Sequence, residues 1–179
     1  MIDIKKYMPL FKMRIAFLIT FSAIVGALSA TTSGKTILWQ NVALLSLAMM
    51  MGSAGSGAFN HYLDRDIDEK MGRTKRRPLT AGAVTSSKSV FWMASLLIIM
   101  ALSLSTVTLN YVVSLHLFSG AFVYVVLYTV WLKRRSWANI IIGGMAGSFA
   151  VLAGAASVNP EMCALPLILA LVMFFWING

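Results

Sequence analysis

The sequence predicts an all-α, polytopic transmembrane helix bundle, on three observations. Of 179 residues 59% are apolar and only 12% charged, with a mean hydropathy of +0.80, too little polar surface to cover a soluble globule of this size. The apolar residues fall into separate runs of about 20, the length that crosses a hydrocarbon core as a helix. None of these runs alternates with period two, so a closed barrel is excluded as the means of satisfying the backbone in lipid.

Taken in order, the expected spans are residues 15–34, 37–62, 89–109, 111–132 and 137–158, with a partial sixth at 164–177. The first follows Lys5, Lys6, Lys12 and Arg14 as a secretory leader would. Its long apolar run and lack of a small-residue cleavage site read instead as a retained helix. A single cysteine, Cys163, excludes an internal disulfide, and no Cys/His spacing fits zinc.

The loops agree with this span list. With the N-terminus inside, 14 of the 15 Lys and Arg fall in inside segments, at 5–14, 65–88 and 133–135, and only Lys35 falls outside. By the positive-inside rule the N-terminus and the loop after span two are then cytoplasmic; the membrane itself is expected to be a cell inner membrane. Basic residues spread between spans also argue against nucleic acid as a partner, which would need them on one soluble face.

Four of the six acidic residues, Asp64, Asp66, Asp68 and Glu69, crowd into "NHYLDRDIDE" at the end of span two. If the helix continues past Leu63, Asn60, Asp64 and Asp68 recur every four residues along one stripe. Like charges in such register are unfavourable unless a cation lies between them. Hard oxygen donors without His or Cys suit Mg²⁺, which keeps waters and binds through one or two carboxylates plus substrate phosphates.

The adjacent "RTKRRP" adds Arg73, Lys75, Arg76 and Arg77, groups able to hold phosphate oxygens. Carboxylates, a divalent ion and basic residues at the rim of an apolar bundle fit an amphiphile with a diphosphate head, such as an isoprenoid diphosphate. A blander reading applies elsewhere: Lys133, Arg134 and Arg135 are expected to be a topology signal touching lipid headgroups. Asp66, about 200° around the helix from Asp64, is expected to pair with Lys70 or face solvent.

"NHYLDRDID" with the trailing "RTKRRPLTAG" resembles the first aspartate-rich motif of the UbiA-type intramembrane prenyltransferases, N-x-x-x-D-x-x-x-D followed by R-T-x-x-R-P-L-x-x-G. Residues 128–156, "YTVWLKRRSWANIIIGGMAGSFAVLAGAA", are similar to the branch of that family that farnesylates heme. His61 stands where the quinone-precursor branches commonly have Asp.

The resemblance implies a bundle of about nine helices that transfers a farnesyl group from farnesyl diphosphate to a vinyl group of heme b, giving heme O. It implies Mg²⁺ as cofactor, held by Asn60, Asp64 and Asp68 as catalytic residues. Arg73, Thr74 and Arg77 are implied as diphosphate partners, with Lys75 added from charge alone. Implied partners are the two substrates, the lipid membrane, and either a second copy of the chain or heme-copper oxidase assembly proteins. The chain is expected to be the N-terminal portion of a single prenyltransferase domain over 1–179, truncated near "LALVMFFWING", with Asn178-Gly179 as a foreign end.

Two other readings stay open: a prenyltransferase for an aromatic quinone precursor, and a non-enzymatic membrane remnant whose acidic loop binds Mg²⁺. His116, inside span four, is expected to hydrogen-bond a neighbouring helix rather than ligate heme iron. Gly52, Gly55, Gly57, Gly143, Gly144 and Gly147 are expected to permit close helix contact.

Overall fold

The computed structural model describes residues 6–31, 34–84, 86–161 and 164–178. Lys5 of the basic count, Cys163 and Gly179 lie outside those residues. Helices account for nearly all of the described chain, and no strand occurs among the described residues. Five helices are long and apolar enough to cross a membrane: Met8–Ala30, Trp39–Leu63, Ser87–Thr108, Tyr111–Leu132 and Asn139–Val158.

The first span opens earlier than the hydropathy pattern suggests. Pro9 starts a 3₁₀ turn at Met8–Phe11, where its missing N–H costs nothing. Lys12 then adopts a left-handed conformation, φ 46° and ψ 48°, and turns the chain into α1 (Met13–Ala30). After α2 (Trp39–Leu63) come the short α3 (Arg65–Lys70) and a loop that leads to α4 (Ser87–Thr108). Ser86 caps α4 by accepting from the Ser89 N–H, one of the donors a helix start leaves unpaired.

The fourth span changes its winding midway. It begins as α5 (Tyr111–Phe122), capped by Asn110, and continues as a π segment over Val123–Leu132. Asn110 also donates to the Ala156 carbonyl at 2.8 Å, tying this end of the span to α6 (Asn139–Val158). The last helix is α7 (Ala164–Asn178).

α2 packs most extensively on α4, and α1 on α6, with α6 also meeting α5 and α7. The core is built from small residues: Ala23, Ala27, Ala48, Ala101, Ala150 and Ala153 meet around Leu45, Val113 and Leu117. Lipid tails are as apolar as these side chains, so close backbone approach, not expulsion of apolar surface from water, holds such helices together. Large apolar groups such as Phe21, Trp92, Ile99, Leu171 and Phe175 point outward instead.

α1 and α6 cross with their backbones in close approach. A Cβ at Gly26 would collide with the Val151 carbonyl, and a Cβ at Gly154 with the Ala23 carbonyl. Neither glycine stands out in the sequence as the G-x-x-x-G at 143–147 does. In that motif Gly143 receives the Tyr128 ring and Gly147 receives Ile177 and Met173 of α7. Gly55 lies against the Ala94 carbonyl of α4, the close helix contact expected for it.

Candidate active site at the polar end of the bundle

α2 closes at Leu63, and α3 resumes at Arg65 with Asp64 between them at φ −88°, ψ −2°. The interruption does not break the hydrogen-bond ladder. Asp64 N–H donates to the Asn60 carbonyl at 3.0 Å and Asp68 N–H to the Asp64 carbonyl at 2.8 Å. Asn60, Asp64 and Asp68 therefore keep the stripe that their spacing implies, and they are 2%, 0% and 2% exposed.

Burying two carboxylates requires partners. Asn60 Nδ2 donates to Asp64 Oδ2 at 2.7 Å and to Thr129 Oγ1 at 3.1 Å. Lys133 Nζ reaches the same Asp64 oxygen at 2.5 Å. Arg77 Nη1 donates to Asp68 Oδ2 at 2.6 Å, and Thr74 Oγ1 to the Asp68 carbonyl at 3.3 Å. Lys12 Nζ completes the group, donating to Asn60 Oδ1 and to the Tyr124 hydroxyl at 3.1 Å.

Of the residues selected from sequence, the structure thus gathers Asn60, Asp64, Asp68, Thr74 and Arg77. Arg73 and Lys75 are exposed on the adjoining loop. The four that the motif did not include, Lys12, Tyr124, Thr129 and Lys133, come from other spans. Lys133 is more than a headgroup contact, because its ammonium neutralises a fully buried carboxylate. Asp66 pairs neither with Lys70 nor with solvent alone; Arg134 grips both its oxygens at 2.8 Å and also donates to the Leu63 carbonyl. That guanidinium holds the Asp66 carboxyl below the usual carboxylate range, chiefly through the hydrogen bond.

The π winding explains how one helix supplies three of these groups. At about 100° per residue, an α-helix would set Tyr124 and Lys133 on opposite faces. Bonds from residue i to i+5 turn the chain less per residue, as in Lys133 N–H to the Tyr128 carbonyl at 3.0 Å. Thr129 Oγ1 donates to the Tyr124 carbonyl at 2.8 Å across the same interval. Thr129 and Lys133 end up against the end of α2, and Tyr124 against Lys12.

Above the polar group lies a chamber of about 220 Å³ between α1, α2, α5, α6 and α7. Lys12 and Tyr124 line its polar end, and Ile19, Met49, Leu117 and Phe149 its apolar walls. His116 also lines it and lies against the Phe149 ring, centroids 6.2 Å apart; among the described residues it makes no hydrogen bond to a neighbouring helix.

A divalent cation fits one feature of this group. Asp64 Oδ1 is buried and without a hydrogen-bond partner among the described residues, an open acceptor of the kind that calls for a ligand. No cluster of three or more His, Cys, Asp or Glu converges among the described residues. Asn60, Asp64 and Asp68 offer hard oxygen donors, the chemistry that suits Mg²⁺ completed by waters and phosphates.

The chain matches the UbiA prenyltransferase family over residues 19–179. It is 51% identical over 172 residues to "Protoheme IX farnesyltransferase 1" of Paramagnetospirillum magneticum, covering 96% of this chain and 59% of that protein. The fold is similar to a solved digeranylgeranylglyceryl phosphate synthase, at TM-score 0.83 and 20% identity, over 98% of this chain and 60% of that one. A UbiA homologue from Archaeoglobus fulgidus bound to DMAPP and Mg²⁺ superposes at TM-score 0.75 and 20% identity, over 97% of this chain and 60% of that one. The chain spans about 60% of the length of these relatives.

Proposed function

The chain belongs to the UbiA prenyltransferase family, and from that premise we propose that it carries the diphosphate-handling part of an enzyme that farnesylates heme b. In this reading residues 1–179 form the N-terminal portion of one prenyltransferase domain. The observation that carries it is the buried row Asn60–Asp64–Asp68, set with its cations at the mouth of an apolar chamber. The protoheme IX farnesyltransferase relative supports heme b as acceptor.

Asn60, Asp64 and Asp68 would hold Mg²⁺, which when bound would supply positive charge for the departing diphosphate. Lys12 and Thr129 fix the Asn60 carboxamide from its two ends, so its oxygen and nitrogen are not interchangeable. Arg77 and Lys133, now on the carboxylates, stand ready to hold phosphate oxygens, and Arg73, Thr74 and Lys75 lie on the same loop. Cations already aimed at the leaving group stabilise charge as it develops, with little reorganisation.

The bond between the farnesyl C1 and the diphosphate oxygen breaks with its electron pair leaving on the diphosphate. The vinyl π electrons then form the new carbon–carbon bond. Water adds to the resulting cation and releases a proton. Apolar walls keep bulk water from the farnesyl cation before that capture. The Lys and Arg distribution supports a cytoplasmic N-terminus and aspartate-rich loop, and the membrane in this reading is a cell inner membrane.

The test is heme O formation, by chromatography and mass, in membranes holding this chain with heme b, farnesyl diphosphate and Mg²⁺. Product that disappears in an Asp64→Asn/Asp68→Asn variant supports the reading. Prenylation of an aromatic acid with indifference to heme overturns the acceptor assignment. Absence of any product leaves the family membership standing and marks residues 1–179 as an incomplete enzyme.

A further inference from the structure

The apolar chamber has walls and a floor of different build. Along α2 its lining passes from Gly57 and Ser53 to Met49, and along span four from Tyr124 and Gly120 to His116. Residues four apart on a helix share a face, so each row follows the chamber inward from its polar end. Small side chains leave the length of the chamber open, and large ones gather at its deep end. α6 repeats the pattern, with Gly143 and Gly147 along the wall and Phe149 deeper in.

The depth follows from the spacing. Both rows, 57 to 49 and 124 to 116, cover eight residues, which at 1.5 Å per residue is about 12 Å. His116 and Phe149 close the far end, with ring centroids 6.2 Å apart and ring planes at 33°. Phe149 is seated against His116's own span, since a Cβ on Gly120 would lie 3.4 Å from that of Phe149.

Beyond this floor is a second cavity of about 20 Å³, lined by Leu152, Ala155, Pro166 and Leu167. Among the described residues His116 is the one that lines both spaces. Its imidazole is therefore the partition between them. Because it makes no hydrogen bond to a neighbouring helix among the described residues, what it gives the chamber is bulk.

A prenyl tail can be measured against this depth. With carbon–carbon bonds of about 1.5 Å, an extended ten-carbon tail advances about 9 Å, a fifteen-carbon tail about 14 Å and a twenty-carbon tail about 19 Å. The first stops short of the floor, and the second reaches it with a slight bend. The third has to displace side chains there, and forcing extra atoms into filled apolar space is unfavourable. We infer that His116, backed by Phe149, sets the longest prenyl chain this site accepts at fifteen carbons, by filling the passage between the two cavities. The inference rests on the reading proposed above and adds to it a specificity-determining residue for the prenyl donor.

The test is binding of geranyl, farnesyl and geranylgeranyl thiodiphosphates, which resist ionisation, to this chain in phosphatidylcholine nanodiscs with Mg²⁺. One methylene too many in an apolar pocket is worth about 10–200-fold, so the parent should bind the farnesyl analogue at least about tenfold more tightly than the geranylgeranyl one. His116→Ala joins the cavities and should raise geranylgeranyl binding by about tenfold or more, with geranyl unchanged. His116→Met keeps the bulk without the ring nitrogens and should keep the parent's order. His116→Trp raises the floor and should weaken farnesyl binding about tenfold while sparing geranyl.

Equal binding of the farnesyl and geranylgeranyl analogues by the parent, or unchanged discrimination in His116→Ala, overturns the inference and leaves the proposed function standing. Entry of the geranylgeranyl analogue into His116→Met would assign the limit to the polarity of the imidazole and overturn its steric role. Loss of all three analogues alike in the Ala and Trp variants would show that His116 only supports the fold of the chamber, which overturns the inference as well. If the parent binds none of the three, the inference and the reading it rests on fail together.

Discussion

Lys133 Nζ lies 2.5 Å from Asp64 Oδ2, joining residues 69 positions apart through a carboxylate with no solvent exposure. The pair binds the end of span four to the end of span two. Removing one partner leaves a buried charge uncompensated, at a typical cost of about 3–5 kcal/mol. Lys133→Met should therefore lower the unfolding midpoint in detergent far more than the double variant Lys133→Met/Asp64→Leu, in which no charge is stranded. Equal losses in the two variants would refute a coupled pair.

Arg73 and Arg77 have equal standing in the sequence motif, but their surroundings differ. Arg77 is half-sheltered on Asp68 while Arg73 is exposed. Arg77→Met should weaken farnesyl thiodiphosphate binding about tenfold to a hundredfold. Arg73→Met should change it by no more than about fivefold, as for exposed ion pairs. A reversed order in the same binding assay would move the phosphate site outward along the loop.

Thr129 accepts from the Asn60 amide and donates to a carbonyl one π turn back. Thr129→Val keeps the shape and strands a buried N–H, a loss of about 1–3 kcal/mol. Thr129→Ser should restore most of it. Deleting one residue within 123–132 is the stronger test, since returning the segment to α winding would swing Lys133 away from Asp64. The deletion should then destabilise about as much as Lys133→Met, read by the same thermal midpoint.

The Arg134 to Asp66 bond predicts a pH signature. With the folded-state carboxyl of Asp66 held below its unfolded value, its stabilisation is complete above the ordinary carboxylate range and is lost as pH falls through the folded-state value. Both groups are well exposed, so the effect is small. The difference in unfolding midpoint between the parent and Arg134→Gln should be widest near neutral pH and close on acidification. A difference that does not vary with pH would mean that Arg134 acts only through the Leu63 carbonyl.

The spans and the aspartate stripe were readable because both are local. Hydropathy over about 20 residues specifies a membrane helix, and a spacing of four along one helix specifies Asn60, Asp64 and Asp68. Lys12, Tyr124 and Thr129 join that stripe only through tertiary packing, which no single-segment pattern records. The π winding concealed Lys133 further, because α periodicity points it away from Tyr124. A basic loop also carries the same sequence signal whether it marks topology or neutralises a carboxylate. Gly26 and Gly154 escaped notice because they lie in different helices and meet only when α1 crosses α6.

That crossing has a genetic consequence. Gly26 faces the carbonyl of Val151, and Gly154 faces the carbonyl of Ala23. Valine at either position should force the helices apart, at about 1–3 kcal/mol or more, seen as loss of folded protein by size-exclusion chromatography. What each added carbon strikes is main chain, which every residue type possesses. No exchange at position 151 or 23 can trim the obstacle, so a suppressor screen on either variant should return true revertants and almost no second-site mutations.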